Sequence, residues 1–192
     1  MTQPNQLVQA KHVALYLGVL GSTLPTGLAV PDEGFFNVGL TTPDSCRFRV
    51  SPEFEKVMAH QSNFPVKVIQ TADAAGIDVD LMQWNGNNIK AVFGGGTITK
   101  VPASPTLYKF VPPSFGNRAE LIAILDVKDG AKHYRFTAAR VFNESEVELE
   151  LNKSPESKLP LRLSILGGDD TDAWFMTTND PAFAPEEEEQ GS

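Results

Sequence analysis

The sequence predicts a mainly β protein: a β-sandwich or barrel of about ten strands with one flanking α-helix over residues 52–60. Three observations lead there. Apolar and polar residues alternate with period two through several segments, as in strands whose side chains point to two faces in turn. Fifteen glycines and fourteen prolines punctuate the chain, which fits turns at short intervals. Only one segment carries a helix start signal with helical spacing behind it.

Residues 1–30 read as an N-terminal arm, 31–178 as the β-sandwich domain with a long loop region at 94–118, and 179–192 as an acidic tail. In the arm, His12 to Leu20 is apolar. Gly18, Gly21, Pro25, Gly27 and Pro31 interrupt it, so neither a helix nor a long strand is expected. Two destinations fit: a terminal strand of the protein's own sheet, or an arm packed on a neighbouring subunit.

Phe35 to Leu40 reads as the first strand of the domain and Ser45 to Val50 as its neighbour, with Thr41-Thr42-Pro43-Asp44 as the turn. The helix follows. Ser51 is an N-cap, Pro52 fits the first helical position, and Glu53 and Glu55 lie in the first turn. Phe54, Val57 and Met58 form one apolar stripe, and His60 falls in the last turn. Val66, Val68 and Thr71 then begin a strand, with Ala74-Ala75-Gly76 as a turn. Ile77, Val79 and Leu81 alternate with Asp78 and Asp80, giving a strand with an acidic edge. Asn85-Gly86-Asn87-Asn88 reads as a turn, Ile89 to Phe93 as extended chain, and Gly94-Gly95-Gly96 as a joint. The glycine run lacks the Lys-Ser/Thr that a phosphate loop requires.

Pro102, Pro105, Pro112 and Pro113 frame a short strand at Leu107 to Val111. Glu120 to Val127 is almost continuously apolar and reads as a central strand buried on both faces. Asp129-Gly130 is a favoured hairpin pair, and Tyr134 to Phe142 follows it. Next comes Glu144-Ser145-Glu146-Val147-Glu148-Leu149-Glu150-Leu151, with carboxylates on one edge and apolar residues on the other. With Asn143-Glu144 as a turn, this segment pairs back on Tyr134–Phe142. Phe136, Ala138, Val147, Leu149 and Leu151 then share one face, and Arg135, Thr137, Glu146, Glu148 and Glu150 the other. Arg140 falls on the apolar side. Leu159 to Leu166 is one more strand, whose early Pro160 fits an edge or a strand start. Ala173 to Thr178 is the last strand, ahead of the tail.

Composition narrows the function. The net charge is −8, and without Glu186–Glu189 it is −4. Such a body offers no basic field for gripping nucleic acid. The single Cys46 excludes an intrachain disulfide. No stretch has the apolar length of a membrane span, and the start of the chain lacks the features of a secretory leader. His12, His60 and His133 have no second His or Cys at ligand spacing, and no Gly-x-Ser-x-Gly elbow occurs. The expectation is a protein without catalytic residues, metal or cofactor. Trp84 and Trp174 leave open a carbohydrate-binding sandwich module.

The order of elements adds a resemblance. PDEGFFNVGLTTPDS leads into SPEFEKVMAHQS, then FPVKVIQTADAAGIDVDLMQWN and IKAVFGGG. Later, ELIAILDVKDGAKHYRFTAARVFNESEVELELN leads into LPLRLSILGGDDTDAWFMTTNDPAF. Over about residues 30–184 this resembles the major tail (tail tube) proteins of long-tailed, non-contractile phages, most closely those of actinobacterial siphophages. The resemblance implies a structural virion protein made in the host cytoplasm. It implies six-membered rings stacked into a tube, with an inner barrel around a channel for double-stranded DNA. It implies a tape measure protein and tail terminator and distal tail proteins as partners, no membrane, and residues 94–118 as an inter-ring loop. A tube protein of a contractile tail or injection device is the alternative within the same class.

In such a tube, carboxylates on a lumen face would keep DNA mobile, because like charges repel. Glu146, Glu148, Glu150, Asp78 and Asp80 are the candidate channel-lining residues. The competing placement is the tube exterior or a subunit interface, where Arg135 or Lys132 of a neighbouring copy would pair with them.

Overall fold

The computed structural model describes residues 7–32, 34–144, 146–149, 151, 157–167 and 172–184. Its elements are β1 (His12–Val19), β2 (Phe35–Asn37), β3 (Arg47–Met58), β4 (Pro65–Leu81), α1 (Gly86–Phe93), β5 (Thr97–Val101) and β6 (Ser104–Val111). They continue with β7 (Leu121–Asp129), β8 (Lys132–Phe142), β9 (Leu159–Ile165) and β10 (Trp174–Thr178). Every strand pairing is antiparallel. The ladder runs β2-β1-β7-β8-β9-β4-β3, with β10 also on β8, and β5–β6 forms a separate hairpin.

The path folds over at β8. The first part of β8 pairs with β10 and only its end, Val141 and Phe142, pairs with β9. Two layers result: β2-β1-β7-β8-β10, and β3-β4-β9. Between them lies the core. Leu15 and Leu17 of β1, Ala123 and Leu125 of β7 and Ala138 of β8 meet Ile77, Val79 and Leu81 of β4 and Leu159, Leu161 and Leu163 of β9. Phe48, Phe136 and Trp174 form an aromatic cluster against it, with Phe48 4.9 Å from each of the other two rings. The period-two pattern of β4 and β9 produces this packing directly, because alternate residues fall on the core side. Gly76 permits the close approach of the two strands: a Cβ there would stand 2.8 Å from the Leu163 carbonyl oxygen.

Several expectations hold. β7 is buried on both faces, from Ile122 through Asp126, as its continuous apolar run requires. The β7–β8 hairpin forms with Gly130 and Ala131 as its turn, one position later than the Asp129-Gly130 pair.

Others are corrected. Residues 52–60 are not a helix. Arg47 to Met58 is one strand, paired with β4 from Arg47↔Asp78 to Met58↔Pro65. Pro52 is tolerated because β3 is the edge of the sheet, where half of the backbone donors have no strand to meet. The stripe of Phe54, Val57 and Met58 finds no core; all three are exposed. A long ladder outweighed local helix signals, which are a weak prior. Ala74-Ala75-Gly76 is not a turn but the middle of the 17-residue β4.

The helix is instead at Gly86–Phe93, where a turn and an extended run were expected. Asn85 caps it, accepting from the Asn88 N–H at 2.9 Å, and Gly94 ends it in the left-handed conformation at φ 73°. The buried Asn88 amide donates to the carbonyls of Val38 and Gln83. Ala91 and Val92 face the core.

The N-terminal segment is also corrected. Despite its glycine, His12–Val19 is a full strand between β2 and β7, with Leu15 and Leu17 wholly buried. Of the two destinations, it takes its own sheet. The loop after it crosses the outer face of that layer, where the Arg135 guanidinium donates to the Gly27 carbonyl at 2.6 Å. Glu186–Glu189 lie outside the described residues.

Candidate functional site

The glutamate segment does not fold back on β8. The two flanks of β8 belong to β7 on one side and to β10 and β9 on the other, so no edge is left for it. Residues 144 and 146–149 are outside any ladder, and Glu150 is outside the described residues. The segment runs on from β8 along β9. Continuing the register Val141↔Ile165 and Phe142↔Ser164 sets Glu146 opposite Pro160 and Glu148 opposite Lys158. Glu146, Glu148, Lys158, Pro160, Arg162 and Asp80 do line one depression of about 330 Å³. Ser164 donates to the Glu144 carboxylate at 2.6 Å. Pro160 has no N–H to give to either neighbour, which weakens the ladder there. The expected alternation survives without it. Glu146 and Glu148 are exposed, while Val147 and Leu149 are half-buried against the core.

This places Glu146 and Glu148 beside β9 on the same side of the layer as Asp78 and Asp80. Opposed residues of antiparallel strands share a face. Arg47, Asp78 and Arg162 are opposed across β3, β4 and β9, and Asp80 is opposed to Pro160. The core-facing counterparts are Phe48, Ile77 and Leu163. All described members of the predicted acidic set are thus brought to one face.

The face is not purely acidic. Arg49 makes two hydrogen bonds to Asp78, at 2.5 and 3.1 Å. Arg162 bonds Asp80 at 2.7 Å and the Val79 carbonyl at 2.8 Å. Four cations (Arg47, Arg49, Lys158, Arg162) stand among five carboxylates (Asp78, Asp80, Glu144, Glu146, Glu148). The arginines escaped the sequence reading, although Arg47-Phe48-Arg49 and Leu161-Arg162-Leu163 carry the same period-two signal as the acids.

Arg135 cannot serve as a partner for these carboxylates. It is 1% exposed and holds Asp126 with two hydrogen bonds of 2.7 Å. His133 completes that buried group, its Nε2 3.2 Å from Asp126. Lys132 is engaged by Asp180 at 2.9 Å. The Tyr134 hydroxyl also donates to Asp180. These bonds hold the Asp180 carboxyl down at about 2, and the same carboxylate raises the Tyr134 phenol to about 12.

Among the described residues no three His, Cys, Asp or Glu side chains converge as a metal site. Burial, with Asp78 nearby, pushes the Cys46 thiol up to about 11, away from the reactive thiolate. Trp174 is occupied by the aromatic cluster, and the half-exposed Trp84 donates its indole N–H to the Ser157 carbonyl at 3.0 Å.

A second feature is the outer half of the β3–β4 hairpin. From about Val50 outward on β3, and from Pro65 to Ala74 on β4, every residue is exposed. Phe54, Met58, Phe64, Val66 and Val68 each keep more than half of their surface open. Ten residues of strand extend about 30 Å. β9 covers β4 only from Gly76 to Leu81, so both edges of the outer ribbon lack a neighbouring strand among the described residues.

A family profile described as phage tail tube protein matches residues 1–187 of the chain. No curated protein matches it significantly.

Proposed function

The chain belongs to the phage tail tube protein family, a structural component of the virion tail, and we propose that it is the repeating subunit of a tube of stacked six-membered rings around a DNA channel. The observation that supports this reading most is the bare outer half of the β3–β4 hairpin. A two-stranded ribbon is marginal by itself in water. Open strand edges and contiguous exposed apolar side chains call for a covering partner. Neighbouring copies in a closed ring supply one without leaving an open edge.

The charged face of β3, β4 and β9 is the surface we assign to the channel. Asp78, Asp80, Glu146 and Glu148 then line it, with Glu150 continuing the row in sequence. Cations and carboxylates nearly balance there, so DNA meets neither a grip nor a wall of like charge, and passage is passive. The tape measure protein and the tail terminator and distal tail proteins are the expected partners inside the tube and at its ends, with assembly in the host cytoplasm before incorporation into the virion.

Electron microscopy of the purified protein tests the assembly. Rings or hollow tubes are expected from the full chain. Replacing residues 51–74 by a short turn should leave a folded monomer that forms none. Tubes of normal appearance from that deletion would remove the hairpin from the assembly. A ring structure with Asp78, Asp80, Glu146 and Glu148 pointing outward, or normal DNA ejection by virions carrying Glu→Lys at positions 146, 148 and 150, would overturn the channel assignment.

A further inference from the structure

The charges on this face are sorted. At one edge stands β3 with Arg47 and Arg49; at the other, beyond β9, stand Glu146 and Glu148. Between them Asp80 is paired with Arg162. Arg49 is already bonded to Asp78. Arg47 is exposed and has no hydrogen-bond or ion-pair partner among the described residues. Glu146 and Glu148 are exposed as well, and among the described residues no strand pairs with residues 146–149 on their far side. At the level of β9 the layer therefore presents Arg47, without a partner among the described residues, at one edge and Glu146 and Glu148, with Lys158 opposite Glu148, at the other; farther out β3 carries Glu53 and Glu55.

We infer that the β3 edge of one copy docks beside the residue 146–149 edge of the next, with Arg47 meeting Glu146 and Glu148 across the joint. The inference rests on the tube reading and adds to it the residues that set the joint and its direction. A head-to-tail contact between two different edges repeats around a ring, whereas a two-fold contact would set each edge against itself, the glutamates of residues 146–149 against their own copies. Like charges placed together suppress that wrong pairing, and opposite charges fix the right one. Charge matching specifies order here, while the exposed apolar residues of the outer hairpin provide the larger buried area.

The test is a charge exchange in the full chain, read as the protein concentration at which tubes appear by light scattering and electron microscopy. Arg47→Glu should raise that concentration by roughly tenfold or more. Arg47→Gln, which removes the charge without adding repulsion, should fall between. Combining Arg47→Glu with Glu146→Arg and Glu148→Arg restores opposite edges and should recover most of the loss. Circular dichroism should show all variants folded, since the three side chains are exposed. Tubes indifferent to Arg47→Glu, or a combined variant no better than Arg47→Glu alone, would overturn the charge-matched joint and leave the tube reading intact. Wild-type protein that never forms rings or tubes would instead sink the tube reading, and this inference with it.

Discussion

The two halves of β4 share one ladder with β3 and differ in everything else. From Gly76 to Leu81 the strand is flanked by β9 and backed by the first layer, and Ile77, Val79 and Leu81 are wholly buried. From Pro65 to Ala74 it keeps its partner β3 but loses both the flank and the backing. Backbone hydrogen bonds continue through both halves. Burial does not, and burial is the dominant favourable term in folding. One half is core, and the other is a surface open to solvent. Apolar residues along the strand thus have two meanings: stability in one half and, in the proposed tube, association in the other.

The sharpest contrast is between the charges of the packed body and those of the hairpin base. Asp126→Ala leaves the buried Arg135 guanidinium without its carboxylate and should cost about 3–5 kcal/mol in urea unfolding. Arg49→Ala breaks a surface pair with Asp78 and should cost no more than about 1 kcal/mol. Equal losses would mean that the sheet face is drier than the monomer indicates.

The next pair lies within β4 itself. Ile77→Ala should cost about 2–5 kcal/mol, because it opens a cavity in the core. Ile69→Ala, on the bare half at 40% exposure, should change monomer stability by only about 0.5 kcal/mol. Its effect should appear instead in the concentration needed for tubes. A large monomer loss from Ile69→Ala would show that the outer half is packed within the chain after all, and the comparison would fail.

The smallest effect expected is a pH dependence confined to the end of the body at Asn179–Ala184. The Asp180 carboxyl is held below its ordinary 3.8, at about 2. Its contribution is complete above the ordinary carboxylate range and is lost as pH falls toward about 2. The Tyr134 phenol is raised from 10 to about 12, so its contribution is present below pH 10 and is lost as pH rises toward about 12. Hydrogen exchange at Asn179 and Ala182 should quicken at either extreme before β7 and the inner half of β4 respond. Simultaneous loss of protection everywhere would show that this contact is no separate unit.

Much of the fold was legible because the signals are local. The continuous run at Glu120–Val127 predicted a strand buried on two faces, and β7 is one. Alternation at Ile77–Leu81 predicted a strand with Asp78 and Asp80 on the face away from Ile77, Val79 and Leu81, and those three residues are in the core. Alternation also predicted that Glu146 and Glu148 point away from Val147 and Leu149, and this held although no ladder forms there. The misreadings share a cause. Ser51-Pro52 with Phe54, Val57 and Met58 has sound helix chemistry, yet a twelve-residue pairing with distant β4 claimed the segment. Asn85 and Gly94 marked the true helix, but at eight residues it is too short for periodicity to stand out from a turn.

By itself the sequence determined the two faces of each strand, since the twofold repeat of the extended backbone is a property of consecutive residues. It also determined the family and the balance of charge. Only the tertiary structure decided which strands are neighbours, because pairing joins residues far apart in the chain and every free edge offers the same backbone N–H and C=O groups. That choice turned the glutamate row away from β8 and laid it along β9. It brought the row onto one face with Asp78 and Asp80, and set it across the layer from Arg47.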